Sequence, residues 1–140
     1  MTKPGKTILF ICTHNSARSQ MAEGLVNAFH GDRYEAFSAG TEPAEVNPRA
    51  IRAMAELGID ISGHTVNGID EFLNRDIDCV VTVCDHANEA RPFFPGGNDR
   101  IHKGFADPAA VTGPEEEKLE AFRRTRDEIR AWIAETFPWS

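Results

Sequence analysis

Short apolar runs alternate with longer amphipathic stretches along this chain, and the alternation predicts its elements. Thr7-Ile8-Leu9-Phe10-Ile11 is a continuous apolar run of strand length, the pattern of a central parallel strand covered on both faces. From Ser16 to Phe29, Met21, Leu25 and Phe29 recur every fourth residue, with Ala22 and Val26 beside them. That spacing marks one face of a helix. A weaker strand is expected over Tyr34 to Ser38. Asn47-Pro48 offers an N-cap and a first-turn proline for the next helix, and Gly58 closes it. Cys79-Val80-Val81-Thr82-Val83 is rich in β-branched residues and reads as a third strand, with a fourth over Ile101 to Phe105. The last helix is expected to start at Thr112 or Gly113, burying Leu119, Phe122, Ile129 and Ile133. Alternating strands and helices predict an α/β domain with a parallel sheet and right-handed crossovers.

Composition narrows the function classes. The 140 residues fit one domain, 1–140, able to bury roughly two-thirds of its unfolded surface without disulfide or metal staples. Fifteen Lys and Arg against 22 Asp and Glu leave a formal net charge of −7. That balance argues against nucleic acid or an anionic membrane as a partner held by bulk charge. Three cysteines do not make a secreted disulfide framework, and Ile8 to Cys12 is too short for a signal core or a membrane span. A cytoplasmic location is expected. The histidines, His14, His30, His64, His86 and His102, show no tight ligand spacing, so no metal site is expected. His14 falls in the loop considered next, and the other four are expected at the surface or at helix ends.

The chemistry concentrates after the first strand, in Cys12-Thr13-His14-Asn15-Ser16-Ala17-Arg18-Ser19. A loop entering a helix turns several backbone N–H groups toward one point, where the helix dipole adds positive potential. Arg18 brings a planar bidentate donor suited to a tetrahedral oxyanion. Donors that hold an anion also favour a thiolate, so the Cys12 pKa is expected to fall. The Ser19 hydroxyl is placed to add a hydrogen bond to the sulfur. A lone cysteine at a strand end is usually just buried, and a lone arginine is usually surface. The full Cys-x5-Arg-Ser run at a strand-to-helix junction is a different matter, and it reads as a nucleophile inside an oxyanion cradle formed by residues 13 to 19.

Cys12 to Ser19, followed by Gln20-Met21-Ala22-Glu23-Gly24, resembles the phosphate-binding loop of the low-molecular-weight tyrosine phosphatase fold. More narrowly, it is similar to the arsenate reductases of that fold, which couple to thioredoxin or another thiol system. The likeness continues through Ser38-Ala39-Gly40, Gly58-Ile59-Asp60-Ile61-Ser62 and Val80-Val81-Thr82-Val83-Cys84-Asp85. It returns in Phe93-Phe94-Pro95-Gly96, Phe105-Ala106-Asp107-Pro108 and Phe122 to Ile129. The resemblance implies a three-layer α/β/α fold whose four-stranded parallel sheet has the order 2-1-3-4. Cys12 and Cys84 then leave the sheet at the carboxyl edge, where such folds bind ligands. It also implies Cys12 as nucleophile, Asp107 as general acid and Cys84 as a second redox cysteine. Without the resemblance, Asp107-Pro108 would read as a turn.

Phosphatases of this fold place aromatic residues after the Asp-Pro pair, whereas Ala109 and Ala110 follow here. The expected activity is therefore thiol-dependent reduction of arsenate to arsenite, with phosphate or sulfate as competing anions and no cofactor beyond an external thiol. One alternative is an aryl phosphatase acting through a Cys12 phosphocysteine, and another is a non-catalytic oxyanion-binding module. Two departures stand out. Thioredoxin-coupled members carry a third cysteine seven residues past the second, but Arg91 occupies that position here. Cys79 is expected to be a core residue, so glutathione with glutaredoxin, or thioredoxin directly, is the expected reductant. Some members bind potassium with residues matching Asn15, Glu23 and Ser38 plus an acid, which is Asn67 here. No ion is expected, and Glu23 is expected to find a side-chain partner.

Overall fold

The computed structural model describes residues 6–42, 44–72, 77–83 and 97–137, with the side chains of 97–99 excepted. Four strands form one sheet: β1 (Lys6–Cys12), β2 (Tyr34–Gly40), β3 (Ile77–Thr82) and β4 (Gly97–His102). All three pairings are parallel and the order is β2-β1-β3-β4. The expected α/β class and the 2-1-3-4 order are thus observed. β1 is central, and Ile8, Leu9 and Phe10 are fully buried, as a run covered on both faces requires.

Helices α1 (Arg18–Phe29), α2 (Pro48–Ala55) and α3 (Glu115–Thr136) pack against one another, and α1 also lies on β1 and β2. Asn47 caps α2 by accepting from the Arg49 N–H at 2.8 Å, with Pro48 in the first turn. Gly58 ends the segment with φ of 79°, where a side chain would be strained. Along α3, Leu119, Phe122, Ile129 and Ile133 are buried as their spacing predicts. Ion pairs stitch α2 to α3. Arg49 and Arg52 meet Glu115, Arg123 and Arg126 meet Glu56, and Arg126 Nη1 donates to the Ala53 carbonyl at 2.8 Å. No helix among the described residues is long and apolar enough to cross a membrane.

Three expectations need correction. Phe29, at the end of the α1 stripe, is exposed and lies 4.5 Å from the Arg130 guanidinium instead of in the core. The fourth strand begins at Gly97, not at Ile101. It pairs with β3 alone, so an edge position removes the need for a continuous apolar run. Backbone pairing does continue to Phe105, through Lys103 N to Thr82 O and Phe105 N to Val83 O. Finally, α3 starts at Glu115, after a Gly113 with φ of 119° and Pro114 at the N-cap. Glu115, Glu116 and Glu117 then fill its first turn, where the helix dipole favours negative charge.

Candidate active site

The parallel order places the switch between β1 and β3, and β1 ends there at Cys12, which is 3% exposed. The chain from Thr13 to Ala17 then loops into α1. Its carbonyls are turned outward and tied down. Thr41, Glu42, Ala44 and Asn47 donate their backbone N–H groups to the carbonyls of Cys12, Thr13, His14 and Ser16, at 2.7–3.2 Å. Among the described residues, the backbone N–H groups of His14 to Ser19 have no acceptor. No side chain caps α1 either, since its N-cap is Ala17. The result is a row of unpaired donors at a helix start, which is what an anion cradle consists of.

Asn15 makes the turn possible. It is fully buried, and its φ of 54° is a left-handed conformation that asparagine tolerates better than most residues. Its Nδ2 donates to Ser19 Oγ at 2.8 Å, and its Oδ1 accepts from Asn67 N at 2.9 Å and Gln20 Nε2 at 3.2 Å. Because Ser19 Oγ accepts that bond, its own proton is directed to another acceptor. Gly40 closes the back of the loop. A Cβ there would stand 2.8 Å from Thr13 O and 2.9 Å from Asn15 N, so no side chain fits without moving the loop.

Arg18 leaves the first turn of α1 with two of its three nitrogens engaged. Nη1 donates to the Phe105 carbonyl at 2.9 Å and Nη2 lies 3.8 Å from Asp107 Oδ2. Its Nε is buried and, among the described residues, has no hydrogen-bond partner. A buried guanidinium donor left unpaired is costly, and an oxyanion is the acceptor that relieves it. Asp107 makes the turn and also faces Arg18. Oδ1 caps the 3-10 turn Pro108–Ala110 by accepting from Ala109 N at 2.9 Å, while Oδ2 faces Arg18 from a half-exposed side chain. Ala109 and Ala110 are small and exposed, so that turn brings no aromatic wall.

Behind the loop lies a polar network that the sequence only partly announced. Ser38 Oγ donates to Glu23 Oε1, the side-chain partner expected for Glu23. Burial pushes the Glu23 carboxyl above its ordinary range, against the opposing pulls of the Ser38 hydroxyl and the His64 charge. His64 Nδ1 pairs with Gln20 Oε1 at 2.9 Å, Gln20 Nε2 donates to Thr65 O, and Asn67 Nδ2 donates to Ser38 O. His64 is thus half-buried inside this network instead of being a surface residue. His30 does sit at a helix end, as the cap of α1, and His102 is exposed on β4 with Nδ1 2.8 Å from Thr82 Oγ1. His14 is exposed at the loop, its Nδ1 donating to Glu42 O at 3.0 Å.

The structure therefore brings Cys12, Arg18, Ser19 and Asp107 to one edge, with Thr13 to Ala17 between them. Cys84, His86 and Arg91 lie outside the described residues. Cys79 is 8% exposed in the core and pairs with Ile8, four residues before Cys12 in β1, so it does not join the cradle. Among the described residues, no three His, Cys, Asp or Glu side chains gather as metal ligands. Sequence reasoning missed the Phe105 carbonyl, the tethering N–H groups of Thr41, Glu42, Ala44 and Asn47, and the His64 bond. All three depend on backbone groups or on the tertiary approach of distant segments, which residue identity does not encode.

The profile of the low molecular weight phosphotyrosine protein phosphatase family matches residues 7–137. An arsenate reductase of Halalkalibacterium halodurans is 51% identical over 124 residues, spanning 89% of each chain. Among solved structures, an arsenate reductase in an oxidised state superposes with a TM-score of 0.79 at 32% identity, over 93% of this chain and 95% of that one. A low molecular weight protein tyrosine phosphatase from T. tengcongensis superposes at 0.73 with 26% identity, over 93% and 96%.

Proposed function

Since the chain belongs to the low molecular weight phosphotyrosine protein phosphatase family, we propose that it is an arsenate reductase of that family, drawing electrons from an external thiol. The observation that carries this reading is the loop itself. It holds a buried cysteine at the mouth of a row of unpaired N–H donors, beside an arginine with one unpaired buried nitrogen. The high identity to an arsenate reductase and the bare Ala109-Ala110 turn favour reduction over aryl phosphate hydrolysis.

In this reading arsenate sits against Arg18 and the amides of residues 13 to 19, a site that phosphate or sulfate also fits. The Cys12 thiolate, favoured by those donors and by the Ser19 hydroxyl, attacks arsenic. Asp107 protonates the departing oxygen, which leaves as water. Cys84 then attacks the Cys12 sulfur, the sulfur–arsenic electron pair passes to arsenic, and arsenite leaves. The Cys12–Cys84 disulfide that remains is reduced by glutathione with glutaredoxin, or by thioredoxin directly. Because Arg91 replaces a third cysteine, the cycle needs no further thiol of its own. Every electron comes from thiols, so the chemistry calls for no resident metal or organic cofactor.

Arsenite release from arsenate, assayed separately with thioredoxin and with glutathione plus glutaredoxin, tests the scheme. Wild type turns over, Cys12→Ser does not, and Cys84→Ser loses turnover if the disulfide is obligatory. Turnover surviving in Cys84→Ser instead assigns the second step to the external thiol. No arsenite with either donor, together with Cys12-dependent aryl phosphate hydrolysis, moves the assignment to a phosphatase.

A further inference from the structure

Arg18 and Asp107 come from opposite ends of the chain, and the residue that joins them is Phe105. Its N–H donates to Val83 O at 3.0 Å, holding it to the end of β3, and its carbonyl accepts from Arg18 Nη1 at 2.9 Å. Asp107 follows two residues later. The placement of both side chains therefore depends on how firmly Phe105 is fixed.

Phe105 is 8% exposed, and among the described residues its aromatic backing is Trp132 of α3, in an edge-to-face contact with centroids 6.1 Å apart. Trp132 is itself held edge-on by Phe137 at 5.9 Å, and Phe137 by Tyr34 at 5.7 Å. This ladder runs from the carboxyl end of β3 to the first residue of β2. Beside it, Lys103 to Ala106 and the α3 residues Glu128, Trp132 and Glu135 line an open cleft of about 460 Å³. Shortening the indole extends that cleft and takes away the ring edge that Phe105 packs against.

We infer that Trp132 is a positioning residue for the reaction, acting through Phe105 on Arg18 and Asp107. The inference rests on the roles given to those two residues above. A carbonyl fixed by a rigid ring pair holds Arg18 Nη1 in one place, which leaves Nε aimed where an oxyanion needs it. A loosened Phe105 lets the guanidinium and the acid turn move together, at a cost in rate more than in fold.

Trp132→Leu is expected to lower kcat for arsenate about three- to tenfold, the range an edge-to-face pair spans, with KM changed less. Trp132→Phe, which keeps a ring at the position, restores kcat to within about twofold. Thermal melting of both variants accompanies the kinetics. A second readout needs no turnover. With Trp139 replaced by Phe, emission from Trp132 shifts on titration with inorganic phosphate, because the anion pairs Arg18 Nε and reaches the indole through Phe105. Equal losses in the Leu and Phe variants, a kcat loss that tracks the melting temperature, or emission indifferent to saturating phosphate would each overturn the inference. Wild-type protein that binds phosphate with an emission shift yet makes no arsenite would sink the reductase reading and leave this one standing.

Discussion

Asn15 shows how much of the site hangs on one side chain. It is the non-glycine residue at positive φ among those described, and its amide serves Ser19, Gln20 and Asn67 at once. Asn15→Gly keeps the backbone conformation accessible but orphans those buried partners, so it is expected to destabilise the fold by about 1–3 kcal/mol in urea unfolding. Asn15→Ala adds left-handed strain of about 1 kcal/mol, and phosphate affinity falls in both. Glu23 gives a pH signature instead. Its carboxyl is raised above the ordinary 4.5 by burial, so the native state holds that proton more tightly than the unfolded chain does. The stability it contributes is fully present below 4.5 and is lost as pH climbs through the raised native value. The difference in unfolding free energy between wild type and Glu23→Gln should therefore fall with rising pH and then level off; a flat difference would remove burial as the cause. Cys12, Arg18 and Ser19 stood out at this scale because their types and spacing form a cradle, whereas Asp107 stood out only through the family resemblance. His64 was not, since only the approach of residues 64–67 to Gln20 gives it a partner.

At the scale of elements, β2 matters to the site through its last residue. Gly40 pairs with Cys12 in register, and the space a Cβ would take is already filled by the loop backbone. Gly40→Ala is expected to displace the loop and weaken phosphate binding about tenfold to a hundredfold, read by titration calorimetry. Gly63→Ala, with nothing within 4 Å of the added atom, is the control and should bind as wild type. Elements with strong local signals were legible in the sequence. The β1 run, the Asn47-Pro48 start and the α3 stripe each follow from period or capping chemistry that acts within a few residues. β4 was misplaced because an edge strand with one neighbour draws its pairing from β3 rather than from its own apolar content. Phe29 went wrong for a related reason. A period identifies a face, but only the packing of neighbouring helices decides where along that face burial stops.

The whole molecule works against its own site in one respect. A formal charge of −7 repels an arsenate anion, which the loop must then capture by local donors. Raising sodium chloride from about 0.01 M to about 0.15 M screens that repulsion, so KM for arsenate is expected to fall while kcat holds. A rising KM would instead show that the basic field around Arg18 governs capture. The tethered loop has a last consequence, at the level of inheritance. The carbonyls of Cys12, Thr13, His14 and Ser16 are pinned by the N–H groups of Thr41, Glu42, Ala44 and Asn47, and Thr41 adds a side-chain bond from Oγ1 to Thr13 O at 3.4 Å. Genetic drift can therefore rewrite Glu42 and Ala44 with little penalty to the cradle, save for one letter: proline, which has no N–H to give; Thr41 and Asn47 also serve through their side chains. A library randomised at positions 42 and 44 should return survivors of every kind except that one.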